Sequence, residues 1–157
     1  MSTLRVDSIR GQTADGTNRY VVQVASGTTN TERQISSTSF VTTSLTTTIT
    51  PKVSTSKILV MVNIGIYHAS GGVQSAEAEL AIYRGSSAIS TKSHRLYDYG
   101  SSGLLLNTPE NLMTFDSPST TSATVYTVYA KIASGGPAMY IDTGGKDSTI
   151  IAMEIAQ

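Results

Sequence analysis

Two acidic residues, Glu77 and Glu79, are the first candidates for chemistry, because they stand two positions apart in a segment of strand-like alternation. Residues at this spacing lie on the same face of a β-strand. A pair of carboxylates about 5–10 Å apart in a cleft could flank and hydrolyse a glycosidic bond. The spacing allows that geometry. Carboxylates in this pattern far more often lie on a solvated sheet face, and we expect that arrangement here.

The two histidines, His68 and His94, are the next candidates, as metal ligands. Neither has a carboxylate or a second histidine at the spacing of metal ligands, and the chain has no cysteine. A zinc site would therefore need residues from distant parts of the chain. We expect both histidines to lie on the surface or in loops.

Two further motifs fail on their spacing. Lys146 follows two glycines, but Asp147 stands where a phosphate-binding P-loop needs Ser or Thr, and Tyr140 stands where its first Gly belongs. The Gly100-Ser-Ser-Gly103 segment lacks the spacing of a nucleophile elbow. The sequence thus predicts no catalytic, cofactor-binding or metal-binding residues, and a protein that is not an enzyme.

The stretch Ser93-His-Arg-Leu-Tyr-Asp-Tyr99 is the one most typical of an interaction site. Tyr and Arg are the residue types enriched at interface hot spots. We predict a subunit, receptor or glycan contact formed by Arg95, Tyr97, Asp98 and Tyr99. The alternative is an ordinary loop with a packed Leu96, beside a loop-rich region bracketed by Pro109 and Pro118.

The composition of the 157-residue chain indicates one β-rich domain. Charged residues make up only 14%, against about 25% in typical proteins, so Ser and Thr supply much of the polar surface. The net charge is zero, with 11 basic and 11 acidic residues and no basic run, which argues against nucleic-acid binding. No segment approaches the roughly 18 consecutive apolar residues of a membrane span, and no hydrophobic signal stretch opens the chain.

Short segments of alternating hydrophobicity recur along the chain, separated by Gly, Pro and Ser. The clearest is Lys57 to Tyr67, in which every even position is Ile or Val and the odd positions are mixed. Roughly nine or ten such strands, with no convincing helix, predict an all-β fold. We expect an antiparallel β-sandwich, jelly-roll-like, with an extended N-terminal arm. The predicted division is residues 1–18 for the arm and linker and residues 19–157 for the sandwich.

The first strand-like run of the chain stands apart from the rest, behind a segment rich in Gly, Thr, Asp and Asn from Gly11 to Asn18. Its apolar residues are Leu4, Val6 and Ile9. A single strand is not stable alone in water, so it needs a sheet to join. We predict that this arm docks on a neighbouring subunit or on another protein by strand addition.

The opening Ser2-Thr-Leu-Arg-Val-Asp-Ser-Ile9 resembles the N-terminal segment of many phage tail-fibre and virion structural proteins. The rest of the chain is similar to a β-sandwich domain that recurs in them. The similar segments are Thr48-Ile-Thr-Pro51, Ser56-Lys-Ile-Leu-Val60, Ile82-Tyr-Arg-Gly85, Asp116-Ser-Pro118 and Ala152-Met-Glu-Ile155. The resemblance implies a non-enzymatic virion protein, commonly a homotrimer, on the particle surface. It implies no cofactor.

The absence of a long shaft between the arm and the sandwich favours one role within that family. We expect a capsid decoration protein that contacts the major capsid protein. The alternatives are a short tail fibre, or a tail protein that binds a host receptor or surface glycan. A glycan-degrading enzyme is a third and weaker hypothesis, because no acid pair or nucleophile constellation stands out.

Overall fold

A computed structural model describes residues 19–70, 75–97, 104–134, 136–142 and 147–157 of the chain. The predicted docking arm, including Leu4, Val6 and Ile9, lies outside the described residues. The described part contains β-strands and no helix. The strands are β1 (Val21–Thr29), β2 (Arg33–Ile35), β3 (Val41–Ile49), β4 (Lys57–Ser70), β5 (Ser75–Arg84), β6 (Ser87–Tyr97), β7 (Leu104–Asp116), β8 (Thr124–Ile132), β9 (Met139–Ile141) and β10 (Ser148–Ile155).

The strands form two antiparallel sheets. The first has the order β1-β10-β4, with β7 along the other edge of β4, and the second has the order β3-β8-β5-β6. The short strands β9 and β2 extend the first sheet, with β9 beside Ile66 to His68 of β4. The eight longer strands thus make two four-stranded sheets, and the chain crosses between them. This is a jelly roll, as predicted for the fold class.

The core lies between the sheets and follows the period-two pattern of the sequence. The even positions of β4, from Ile58 to Ile66, are at most 3% exposed. The second sheet faces them with alternate residues of β5 and β8, such as Leu80 and Val128, which are fully buried. Burying one such side chain contributes about 1.5–3 kcal/mol, so this row supplies much of the driving force for folding.

One side of the sandwich is closed by a close approach of β1 to β3. A Cβ atom added at Gly27 would lie 1.8 Å from the backbone oxygen of Thr46, a distance that no side chain can adopt. The Gln23 side chain donates a hydrogen bond to the backbone oxygen of Thr50, 2.6 Å away. Glycine at position 27 therefore allows the edges of the two sheets to meet.

The alternative of an ordinary loop at Ser93 to Tyr99 is wrong for most of its length, because β6 continues to Tyr97. The strand pairs with β5 from Ser87 to Tyr97 after a tight turn at Gly85, whose φ angle is +56°. The region around Pro109 is also a strand rather than a loop. Pro109 lies opposite Gly65 on β7, the edge strand of its sheet, where a missing N–H donor is tolerated.

Candidate assembly surface

The outer face of the first sheet carries apolar side chains where a solvated face would carry polar ones. This apolar face is formed by Val21 and Val24 of β1, Leu59 and Met61 of β4, Met113 and Phe115 of β7, and Ile151, Met153 and Ile155 of β10. Met113 is 68% exposed, Phe115 60% and Val24 56%. Single exposed apolar residues are ordinary, but a contiguous group of this kind marks an interaction site.

Strand register makes the apolar face continuous. Phe115 lies opposite Leu59, which lies opposite Met153, which in turn lies opposite Val24. One row of apolar side chains therefore crosses all four strands, a width of about 14 Å at the usual strand spacing. A second row, one step along the strands, is formed by Met113, Met61 and Ile151.

Polar groups border the apolar face at both ends. Beyond the second row, the Asn63 side-chain amide donates a hydrogen bond to Asn111 Oδ1 at 2.9 Å. At the opposite end a groove of about 290 Å³ is lined by Arg19, Lys57, Phe115, Ile155 and Gln157. An apolar centre with a polar rim is the usual anatomy of a protein–protein interface.

The outer face of the second sheet is different in character. On β3 it carries exposed Ser44, Thr46 and Thr48. A half-buried aromatic cluster of Phe40, Tyr83 and Tyr129 also lies there, with a ring-centroid distance of 4.2 Å between the two tyrosines. The sandwich therefore has one apolar and one largely polar outer face.

The two candidate acids lie on this polar face, as expected. Glu77 pairs with Arg95 at 2.6 Å, and Glu79 pairs with Lys131 at 2.9 Å. Each carboxylate is about one-third exposed and neutralised by its own cation. This arrangement on an open sheet face does not form the cleft in which two acids could flank a glycosidic bond.

The structure describes only part of the predicted contact stretch from Ser93 to Tyr99. Arg95 is half-exposed on β6, and its guanidinium donates to Glu77 Oε2. Tyr97 is the last residue of β6, opposite Ser75 of β5. Asp98 and Tyr99 lie outside the described residues, so no shared surface of the four is described.

The expectation of surface or loop histidines is wrong. His68 of β4 is 0% exposed and His94 of β6 is 6% exposed, because both occupy inward-facing positions of their strands. Their rings lie parallel with centroids 5.5 Å apart. They come from different sheets, so no local spacing in the sequence could reveal the contact. In the described ranges, no group of three or more His, Cys, Asp or Glu residues is arranged to hold a metal ion.

A half-buried arginine, a buried aspartate and a buried tyrosine also join the two sheets. The Arg84 guanidinium donates to both oxygens of Asp116, at 2.8 and 2.9 Å, and the Tyr126 hydroxyl donates to Asp116 Oδ2. Burial and the neighbouring Asp116 carboxylate raise the pKa of Tyr126, so its hydroxyl remains a donor. These groups are mutually satisfied and are not poised for catalysis.

Sequence reasoning missed the location of the apolar face, although a signal was present. A strand with one solvated face alternates apolar and polar residues, whereas continuous apolar runs indicate cover on both faces. The run from Ile58 to Val62 and the segment from Ile150 to Met153 are of the second kind.

The described residues contain no helix that could cross a membrane.

The fold and this surface define a jelly-roll β-sandwich with one apolar outer face, and comparisons with known proteins give no closer class. No family model matches the chain, and no curated protein does. Among solved structures, the chain is similar to the Eiger TNF of S. frugiperda, with a TM-score of 0.46 and 9% identity, covering 85% of this chain and 92% of that one.

Two structures from infectious bursal disease virus are also similar. The VP2 subviral particle gives a TM-score of 0.40 at 11% identity and covers 87% of this chain. The Gx strain structure gives 0.39 at 11% identity and covers 99% of this chain. The chain spans 39% and 44% of those two chains. At TM-scores below 0.5 these similarities carry no conclusion about function.

Proposed function

We propose that this protein is a non-enzymatic structural subunit of a tailed-phage virion that self-associates through its apolar face. The apolar face carries the proposal, because a sheet with contiguous Leu, Met, Ile and Phe on its outer surface loses exposed apolar area when it joins another subunit. The low charge of the chain supports it, since few charged groups would need to be desolvated. The resemblance of the Ser2–Ile9 segment supplies the phage context.

Within that function, the subunit is a surface component of the particle, and we favour a homotrimer that decorates the capsid. The N-terminal segment with Leu4, Val6 and Ile9 would dock on a neighbouring subunit or on the major capsid protein by strand addition. The apolar face would then join copies, while the polar face of the second sheet remains in solvent.

Two measurements test this proposal. Sedimentation velocity of the purified full chain should give a concentration-dependent mass above that of one subunit; a single chain at all concentrations up to the millimolar range would contradict self-association. Immunogold electron microscopy of purified particles should place gold over the head. Gold confined to the tail would contradict decoration, and unlabelled particles would contradict the virion role.

A tail protein that binds a receptor or glycan is the second candidate. The half-exposed Arg95 and the Tyr83–Tyr129 pair favour it, because they lie on the face that self-association leaves open. Replacing Tyr97 and Tyr99 together by Ala, with Arg95→Ala as a separate variant, should then reduce adsorption to host cells. Unchanged adsorption would exclude this contact.

A further inference from the structure

The second side of the sandwich, between β6 and β7, is closed by polar side chains. His94 Nδ1 lies 2.6 Å from Glu110 Oε1, and the Lys92 ammonium donates to Glu110 Oε2, also at 2.6 Å. His94 and Lys92 belong to the second sheet and Glu110 to the first. These contacts tie the edge strand of one sheet to the edge strand of the other.

His68 lies directly behind this closure. Its ring is fully buried and stacks on His94, with only 4° between the ring planes. Neither ring nitrogen of His68 has a hydrogen-bond partner among the described residues. A buried imidazole without an acceptor must be neutral, because a buried cation needs a partner. We call His68, Lys92, His94 and Glu110 the edge cluster.

The strands packed against the two histidines present mainly apolar side chains in the described part of the chain, and on β7 the Thr108 hydroxyl is buried without a hydrogen-bond partner. From β9, Met139 stands opposite His68, and from β5, Ala78 stands opposite His94. From β8, Ile132 lies beside Ala78. Glu110 is the acid of the edge cluster, and its two oxygens already accept from Lys92 and His94.

We propose that the edge cluster is an acid-responsive latch, in which protonation of His68 opens the β6–β7 side of the sandwich. His94 Nδ1 faces the Glu110 carboxylate, 2.6 Å away. His68 has no such partner, so a proton on its buried ring meets no carboxylate and lies against the stacked His94 ring. When β6 separates from β7, water reaches His68 and can solvate the charged ring. The open state therefore binds one proton more than the closed state, and acid favours it.

The sign and range of the response follow from the pKa values. Burial, and then the neighbouring His94, lower the pKa of His68 from 6.5 to about 4. At pH 7 His68 is neutral in the closed state and mostly neutral in the open state, so the closed state is close to its full stability. That stability declines as the pH falls from 6.5 towards 4. Relative to the high-pH limit, at which His68 is neutral in both states, the opening equilibrium should rise about 30-fold by pH 5. The largest possible rise is about 300-fold, which corresponds to the pKa difference between 6.5 and 4.

Glu110 does not account for the same response. Burial by itself raises the pKa of Glu110, but the hydrogen bonds from Lys92 and His94 outweigh it and hold the pKa below its ordinary value. The carboxylate is therefore charged in both states above about pH 4.5, which is its ordinary value. Glu110 therefore does not supply the proton uptake between pH 6.5 and 4.5 that the opening requires.

Hydrogen exchange of the full chain at pH 7 and pH 5, corrected for intrinsic rates, tests the latch. Amides of β6 should open about 20-fold more often at pH 5 than at pH 7, while amides in the centre of β10 change less. His68→Leu should abolish the response of β6. Met139→Leu, a volume-conserving change beside His68, should retain it.

Three results would overturn the inference. One is an equal pH response of β6 in His68→Leu, and another is a response of β10 as large as that of β6. If His68→Leu does not fold, an NMR titration of the His68 ring in the wild-type protein decides the question. A ring that titrates near 6.5 without any opening of β6 would exclude the latch.

Discussion

The hydroxyl of Tyr126 lies 2.7 Å from Asp116 Oδ2, which links the second sheet to the first through a fully buried side chain. Tyr126→Phe removes that donor and should lower the free energy of unfolding by about 1 to 2 kcal/mol. Asp116→Ala should cost more, about 3 kcal/mol, because it leaves both the tyrosine hydroxyl and the Arg84 guanidinium without their acceptor. Urea denaturation at pH 7 measures both. Equal effects of the two variants would contradict the shared network.

A single glutamate on the apolar face should prevent self-association. Phe115→Glu places a charge in the row that crosses all four strands, where an interface would desolvate it. We expect at least about a 100-fold weaker association, with unfolding free energy unchanged because Phe115 is 60% exposed. The matched control is Thr48→Glu on the polar outer face, which should associate normally. Sedimentation velocity distinguishes them, and a loss of association in both variants would contradict the assignment of the surface.

Glu154 should contribute stability that acid removes. Burial raises the pKa of this carboxyl, but hydrogen bonds from the backbone of Lys52, from the Gln23 side chain and from the backbone of Val53 outweigh it, so the net shift is downward. A lowered pKa stabilises the fold above the unfolded value of 4.5, and this stabilisation is lost as the pH falls through the lower folded value.

Glu154→Gln should therefore cost about 2 kcal/mol at pH 7, because a neutral amide replaces the ionised acceptor of those donors. The difference from the wild type should shrink below pH 4. Guanidinium denaturation across pH 3 to 8 measures it. A constant difference over that range would show that ionisation of Glu154 is not the cause.

Two glycines should respond to alanine for different reasons. Gly27→Ala forces a methyl group against the Thr46 backbone oxygen, so the β1–β3 edge must move, at a cost of about 2 kcal/mol or more. Gly85→Ala meets nothing within 4 Å, and its cost of about 1 kcal/mol comes from the positive φ angle alone. Thermal unfolding of the two variants, with Gly85→Asn as a less strained control, checks the order. A milder effect at Gly27 than at Gly85 would contradict the close approach.

The strands and the core were predictable because their signal is local. The alternation at β4 depends on a few neighbouring residues, and the strand that it predicted is confirmed. The loop predicted around Pro109 is wrong, because a proline is tolerated on an edge strand. That β7 is an edge strand depends on its pairing with β4, which lies far away in the sequence. The burial of His68 and His94 depends on the distance between two sheets, which no window of sequence contains.

The composition of the apolar face also makes it chemically vulnerable. Met61, Met113 and Met153 lie on it, and the chain has no cysteine that could react with an oxidant instead. Met113 is the most exposed of the large apolar side chains in the described residues. Sulfoxide formation turns a flexible apolar side chain into a polar one. Mild peroxide should therefore yield folded chains that no longer join, and methionine sulfoxide reductase should restore them.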